Sequence, residues 1–241
     1  KAVNLNVTLV AQTGFVLEDV EGKPWEKWET DATSPAEVLT EMAGRICYQS
    51  WSRPNPATRK NSDYIKHILD SKHYSVCEHA GFAVAITGAS RSLTHELVRH
   101  RFLQFSQLSQ RYFDEKKANF IVPPALRGDS EAEEFLLAYF AKSLEAYKAL
   151  QEKLKAKGLS KKQVNEAARC VLPNCTETML VVSGNHRTFR EFFEKRGGSH
   201  VDAEIRELTV EIFKIARNIA PALYQDLRLV SIDGMQLIEA I

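Results

Sequence analysis

Long hydrophobic runs are missing from the sequence, since no apolar stretch approaches the roughly 20 residues that a membrane-spanning helix needs. The first residues, Lys1-Ala2-Val3-Asn4, show no signal-peptide pattern. Cysteines are few, and the four of them form neither a CxxC pair nor the dense framework of a disulfide-stabilised domain: Cys47, Cys77, Cys170 and Cys175. We therefore expect a cytoplasmic protein with reduced thiols and no membrane partner.

Neither sign of charge is in excess, because the sequence has 32 Lys and Arg residues and 31 Asp and Glu residues, which gives a formal net charge of +1. Such a chain does not coat nucleic acid through its overall charge, so any anion site must be a local cluster. Internal repeats, low-complexity tracts and Pro/Gly-rich linkers are also absent. With 44% hydrophobic residues, we expect one globular domain over residues 1–241.

Hydrophobic periodicity predicts few strands and several long helices. Apolar and polar residues alternate over 4–12 and 80–89, and shorter strands are predicted at 120–122 and 179–182. Residues 102–112 have no clean period and are predicted to form a structured loop. One helix opens at Ser34-Pro35, and others are predicted over 61–71, 90–101, 130–156, 160–173, 188–195 and 201–223. This pattern indicates an α+β fold, with helices packed around a small sheet.

Positive charge is concentrated between Arg91 and Arg111, where four arginines and two histidines stand with Glu96 as the only acid. Neutral hydrogen-bonding residues lie among them: Gln104, Ser106, Gln107, Ser109 and Gln110. The planar guanidinium group suits a phosphate, whereas hydroxyl and amide groups suit a base or a sugar. The segment therefore has the composition of a nucleotide pocket.

The triplet Arg99-His100-Arg101 lies near the end of the predicted helix 90–101. Side chains two residues apart on a helix point about 200° apart, so Arg99 and Arg101 address two ligands or two parts of a large one. For the triplet alone, solvated basic residues at a helix C-terminus are the alternative. An RNA- or nucleotide-binding regulatory module is another alternative, because aromatic residues lie among the basic ones: Phe102, Phe105, Tyr112 and Phe113. The near-neutral net charge argues against RNA.

The triplet followed by seven residues and Ser109 resembles the signature of the flavin-dependent thymidylate synthases, and the fuller string from Arg99 to Tyr112 is similar to the loop of that family. Other segments resemble further family elements in the same order along the chain: His73 to His79, Arg169 to Pro173, and Asn185-His186-Arg187 followed by Arg196. The resemblance covers most of the chain.

The resemblance implies that FAD and dUMP stack together at a site shared between the subunits of a homotetramer. The residues implied for dUMP are Glu96, Arg99, Gln107, Ser109, Gln110, Arg111, Arg169 and Arg196. Those implied for FAD are His73, Ser75, Arg99, His100, Arg101, Gln107, Asn185, Arg187 and Glu191. Arg99 and Gln107 belong to both sets, because Arg99 lies between the two ligands and Gln107 lies near both.

The implied reaction methylates dUMP to dTMP, with methylenetetrahydrofolate as the one-carbon donor and NADPH as the reductant of the flavin. Arg196 is the implied catalytic residue, because a guanidinium group beside the uracil ring stabilises negative charge on N3 and its carbonyls and so enriches C5. No enzyme nucleophile is needed. Since the loop 102–112 contains no His, Asp or Glu to serve as a base, we expect Ser109 to hydrogen-bond dUMP.

Three residues depart from the family pattern. Glu96 stands where relatives often carry a Gln that contacts dUMP, and a carboxylate repels phosphate unless it is paired. His100, four residues further along, is a candidate partner for it. Glu191 stands where some relatives carry an Asn that contacts FAD, and Gln104 stands where a Ser is common.

His73 permits more than one interpretation. It resembles a family histidine near the flavin ring, and a solvated surface histidine is the alternative. A zinc site formed with Cys77 and His79 is a further alternative, although the spacing of these residues fits no standard zinc finger. We expect no metal.

Overall fold

The computed structural model describes residues 1–53 and 55–241. The helices of these ranges are α1 (Pro35–Tyr48), α2 (Asn61–Asp70), α3 (Arg91–Leu97), α4 (Ser130–Ala156), α5 (Lys161–Ala168), α6 (His186–Arg196) and α7 (Ala203–Ile219). The strands are β1 (Asn6–Gln12), β2 (Gly81–Ser90), β3 (Gln104–Gln107), β4 (Glu177–Asn185), β5 (Leu227–Ile232) and β6 (Met235–Ala240). None of the helices described is both long and apolar enough to cross a membrane. The predicted α+β fold is confirmed.

Strands β1 to β4 form one antiparallel sheet in the order β1-β2-β4-β3, and β5 pairs with β6 in a separate hairpin. Phe82, Val84 and Ile86 point from β2 into the core, as their alternation predicts. This face of the sheet packs against α6 and α7, and the ring of Phe82 stacks on Phe189 with centroids 4.0 Å apart. The sheet therefore carries helices on one face, and the other face remains open.

The segment predicted as one helix over 90–101 is divided into a short helix and a turn. Helix α3 ends at Leu97, and the N–H groups of Arg99 and His100 donate to the carbonyls three residues earlier, at 3.1 and 3.2 Å. The triplet therefore lies beyond the helix, and the prediction that Arg99 and Arg101 occupy opposite helical faces is wrong. The loop predicted over 102–112 is also partly wrong, because Gln104–Gln107 pair with β4. Four residues are too few to show a clear period.

Several other predictions of boundaries are confirmed or corrected. Helix α4 spans the predicted residues, and Ser160 and Gln163 form the predicted capping box of α5, although α5 ends before the predicted 173. Residues 120–122 are not a strand, because Phe120 makes only isolated bridges among the described residues. Helix α7 ends at Ile219 rather than 223, since Pro221 cannot continue the hydrogen-bond ladder. Strand β4 is longer than the predicted 179–182.

The β5–β6 hairpin is not predicted above. Asp233 and Gly234 have φ angles of 50° and 76°, the left-handed values that a two-residue hairpin turn requires. The Asp-Gly pair is a known signal for such a turn. The hairpin matters for the site, because the N–H of Ile238 donates to the carbonyl of Gly197, directly after Arg196.

A bulge in β2 sets the direction in which the chain enters α3. The register of β2 with β4 shifts between Ile86 and Ala89, and Gly88 has a φ of 68°. A Cβ atom at Gly88 would lie 1.8 Å from the carbonyl oxygen of Asn4. Only glycine therefore fits this position without moving the start of β1.

The start of α3 is then held from two sides. The hydroxyl of Ser90 accepts the N–H of Leu93 and so caps the helix. The buried carboxylate of Glu204, on α7, accepts the N–H and the hydroxyl of Ser90 at 2.8 and 2.7 Å. These contacts place the basic triplet at a fixed position relative to the core.

We expect Gly88→Ala to destabilise the protein by more than about 2 kcal/mol, because a left-handed φ and a backbone clash act together. Equilibrium urea denaturation measures this. Gly14→Ala is the matched control, since no atom lies within 4 Å of a Cβ at Gly14, and it should change stability by less than about 0.5 kcal/mol. Equal stabilities for the two variants would contradict the role of the bulge.

Candidate active site

The basic triplet and one side of α6 line a cavity of about 370 Å³. It is lined by Arg99, His100, Arg101, Phe102, Thr188, Glu191, Lys195 and Arg196. Five of these residues are predicted site residues, and they come from two segments almost 100 positions apart in the sequence. Folding therefore brings the triplet and Arg196 together, as the predicted site requires.

Arg196 is held from two directions. Its Nε–H donates to Nε2 of His100 at 3.1 Å, and its Nη1 donates to Oε2 of Glu96 at 2.7 Å. Since an arginine has five N–H donors, the guanidinium group keeps further donors for a ligand in the cavity. Glu96 is indeed paired, but its partner is Arg196 rather than His100.

His100 is a neutral hydrogen-bond acceptor in this arrangement. Burial and then the positive charges of Arg196 and Lys195 lower its pKa to about 4. Its ring also packs edge-on against Phe192, with centroids 4.9 Å apart. At neutral pH the ring therefore carries no proton on the nitrogen that accepts from Arg196, and the contact is stable there.

A second group of predicted residues lies at the other end of α6. His73, Ser75 and Arg187 line another cavity of about 370 Å³, together with Cys47 and Tyr48. Arg187 and Arg196 are nine residues apart on the helix, about 14 Å along its axis. A ligand that contacts both ends of α6 must therefore be large.

Two predicted residues at the N-terminal end of α6, Arg187 and Asn185, already have partners. Arg187 forms an ion pair with Glu78. The side chain of Asn185 caps α6 by accepting the N–H of Thr188 at 2.8 Å. Glu191, which lines the cavity of Arg196, pairs with Lys195. This ion pair neutralises the negative charge of Glu191.

A third group surrounds the turn that follows β3. Arg111 pairs with Glu166 of α5 at 2.9 Å, and Arg169 is exposed just after that helix. Ser109 is partly exposed, whereas the side chain of Gln110 is buried. These residues do not line the cavity that contains Arg196.

Gln107 connects this third group to α3 and β4. Its amide nitrogen donates to the hydroxyls of Thr94 at 3.1 Å and Thr178 at 3.3 Å. The side-chain oxygen is therefore the end of Gln107 that is turned away from these two hydroxyls. An amide oriented by two fixed partners is a suitable group for recognising a base.

Comparison with known proteins identifies the family. The model of the thymidylate synthase complementing protein family matches residues 30–222. The flavin-dependent thymidylate synthase of Mycobacterium avium is 45% identical over 241 residues, which cover 97% of this chain and 94% of the relative. Those of Mycobacterium marinum and Mycobacterium sp. (strain KMS) are each 44% identical with the same coverage. The chain belongs to the flavin-dependent thymidylate synthase family.

This result confirms the resemblance drawn from the string Arg99 to Tyr112. The members of this family are methyltransferase enzymes. The regulatory RNA-binding alternative is not supported. The zinc alternative fails as well, because the described residues contain no group of three His, Cys, Asp or Glu side chains that could hold a metal ion. Burial raises the pKa of the Cys77 thiol to about 11, which disfavours the thiolate that zinc requires.

Three residues that line the cavity of Arg196 are not among the residues predicted from the sequence. Thr188 and Lys195 line the cavity of Arg196, and Phe102 adds a ring that is 72% exposed. Lys195 and Phe102 adjoin predicted residues, so proximity in sequence is a usable signal for them. Thr188 also adjoins a predicted residue, Arg187, so the same signal applies to it.

We expect Arg196→Gln to raise the pKa of His100 above about 4, because one positive neighbour is removed, while burial keeps it below the usual value. Nuclear magnetic resonance titration of the histidine ring measures this. Arg217→Gln, a change at an exposed arginine at the end of α7, is the control and should leave the titration unchanged. A wild-type His100 that titrates near its ordinary value would contradict the prediction.

Proposed function

We propose that the protein methylates dUMP to dTMP in an FAD-dependent reaction, with methylenetetrahydrofolate as the one-carbon donor and NADPH as the reductant. Family membership supports the product. The observation that carries the chemistry is the position of Arg196, which Glu96 and His100 hold at a basic cavity while further N–H donors remain available.

The residues present fit FAD. Basic side chains lie at both ends of α6, where a long dinucleotide with two phosphates finds donors, and the exposed ring of Phe102 adjoins the triplet. We propose that FAD is held by His73, Ser75, Arg99, His100, Arg101, Gln107, Asn185, Arg187 and Glu191. When bound, FAD in its reduced form would supply the hydride, and NADPH would reduce the oxidised flavin again. In this proposal Arg187 exchanges Glu78 for an FAD phosphate.

We propose that dUMP is bound by Glu96, Arg99, Gln107, Ser109, Gln110, Arg111, Arg169 and Arg196. The guanidinium groups of Arg111 and Arg169 suit the phosphate, and the oriented amide of Gln107 suits the base. Because the side chain of Gln110 is buried, its contribution is made through the backbone. Glu96 acts mainly through Arg196, to which it is paired.

Arg196 is the proposed catalytic residue. A guanidinium group next to N3 of uracil stabilises negative charge spread over N3 and its carbonyl oxygens, and this charge makes C5 a better carbon nucleophile. The neutral state of His100 is important here, since a charged imidazolium would repel Arg196 from its position. No covalent enzyme nucleophile takes part in this mechanism.

We further propose a homotetramer in which neighbouring subunits complete the site. Within one chain, Arg111 and Arg169 lie outside the cavity of Arg196, so a second subunit is needed to bring the groups around one ligand pair. The open face of the main sheet supports association, because Val10, Met179 and Val181 are 54%, 45% and 42% exposed there. All four cysteines are free, which supports a cytoplasmic location.

The purified protein should be yellow, and its flavin absorbance should bleach when NADPH is added without oxygen, because the proposed cofactor accepts the hydride. Ultraviolet-visible spectroscopy measures this. Heat-denatured protein is the control for flavin that is merely carried along. A colourless protein that neither takes up FAD nor oxidises NADPH would overturn the proposed function.

Arg196→Lys should lower the rate of dTMP formation by roughly 10²- to 10³-fold while FAD stays bound. The reason is that the compact ammonium group of lysine replaces the planar guanidinium group that hydrogen-bonds both His100 and Glu96. The measurements are the rate of dTMP formation and the flavin content. Arg217→Lys, the same chemical change at an exposed site, should retain wild-type turnover. Wild-type turnover in Arg196→Lys would remove Arg196 from the mechanism.

A further inference from the structure

Two oppositely charged side chains, the partly buried Arg91 and the buried Glu115, lie beside the turn that carries Ser109 and Arg111. Arg91 is the first residue of α3, and Glu115 begins a short 3-10 helix after the turn. Neither residue belongs to the predicted dUMP or FAD sets. Glu115 is only 1% exposed, so its carboxylate needs a specific role to offset the cost of burial.

Arg91 holds the backbone at the start of the turn. Its Nη2 donates to the carbonyl of Leu108 at 2.9 Å, and the N–H of Leu108 donates to Met179 of β4 at 2.9 Å. Both backbone groups of Leu108 are therefore fixed. The Nε of Arg91 is buried and makes no hydrogen bond within the described residues, so the guanidinium group is oriented by Leu108 and by charge.

Glu115 holds the other end of the turn. Its N–H donates to the hydroxyl of Tyr147 at 3.3 Å, and its carboxylate oxygen Oε1 is buried and makes no hydrogen bond within the described residues. Burial raises the pKa of this carboxyl, and the positive charge of Arg91 opposes that shift. Glu115 and Arg91 thus stabilise each other's charge, although they do not form a direct ion pair.

The support for Glu115 is itself rigid. Tyr147 is fully buried on α4, and the amide of Gln151, one turn later, donates to its hydroxyl at 3.0 Å and to Asn165 of α5 at 2.8 Å. Asn165 in turn donates to the carbonyl of Phe113 at 3.4 Å. The turn 108–113 is therefore attached to α3, α4 and α5 by polar contacts.

We propose that Arg91 and Glu115 are positioning residues for dUMP: Arg91 fixes Leu108, and the carboxylate of Glu115 stabilises the charge of Arg91, so that Ser109 and Arg111 are presented to the nucleotide. This inference rests on the proposed function. Burial lowers the pKa of Arg91 and the positive charge of Arg169 lowers it further, so Arg91 lies near one of the proposed phosphate-binding residues. Neither positioning residue needs to touch the substrate.

The test compares dUMP binding to FAD-loaded wild-type protein and to Glu115→Gln and Arg91→Lys. Each variant should raise the Kd for dUMP by roughly 5- to 100-fold, because the hold of Arg91 on Leu108 is weakened directly in Arg91→Lys and through the lost negative charge in Glu115→Gln. The KM for dUMP should rise together with this Kd, whereas kcat and the KM for NADPH should stay within about threefold of wild type. A general structural defect would instead change all of these quantities. Calorimetry and steady-state kinetics measure these quantities.

Glu41→Gln is the matched control, because Glu41 is also a fully buried carboxylate and is paired with Arg45 at 2.6 Å. It should lower the melting temperature without changing the Kd for dUMP. If Glu115→Gln does not fold, Arg91→Lys decides the outcome. Wild-type dUMP affinity in a folded Glu115→Gln or Arg91→Lys variant would overturn the positioning role alone. A wild-type protein that binds no dUMP would overturn the proposed function as well.

Discussion

The contact of Arg196 with Glu96 and His100 is the interaction on which the candidate active site depends. It joins the last residue of α6 to the end of α3 and the turn that follows it, with donor–acceptor distances of 2.7 and 3.1 Å. The carboxylate balances the charge of the guanidinium group, and the imidazole accepts without adding charge because its pKa is low. The result is an arginine with a fixed orientation and with donors left for an anionic ring.

The rest of the fold keeps the two partners of this contact in register. Glu204 ties α7 to Ser90 at the start of α3, and the hairpin β5–β6 contacts the chain just after Arg196 through Ile238. The same principle recurs beside the turn proposed to bind dUMP, where Glu115 is buried and the partly buried Arg91 holds the carbonyl of Leu108. In each place a buried polar group loses hydration and is stabilised only when its partners stand at one position, so these groups make the site rigid.

Much of this could be predicted because the signals are local. The period of helix α4 and the capping box at Ser160 depend on residues within one or two turns, and both are confirmed. The end of α3 at Leu97 could not be found in this way, since the apolar pattern continues to Val98 although the chain there turns through hydrogen bonds to carbonyls three residues earlier. Strand β3 is defined by its pairing with β4, which is more than 70 residues away in the sequence.

For the active site, the sequence by itself determined the family and the residue types, because a string such as Arg99 to Tyr112 is chemically distinctive without any coordinates. The tertiary structure alone decided which groups meet. Glu96 pairs with Arg196 and not with the neighbouring His100, and Gln110 is buried although Ser109 beside it is partly exposed. The physical reason is that a hydrogen bond depends on distances of about 3 Å, and those distances are set by the packing of α6, α7 and the sheet rather than by separation along the chain.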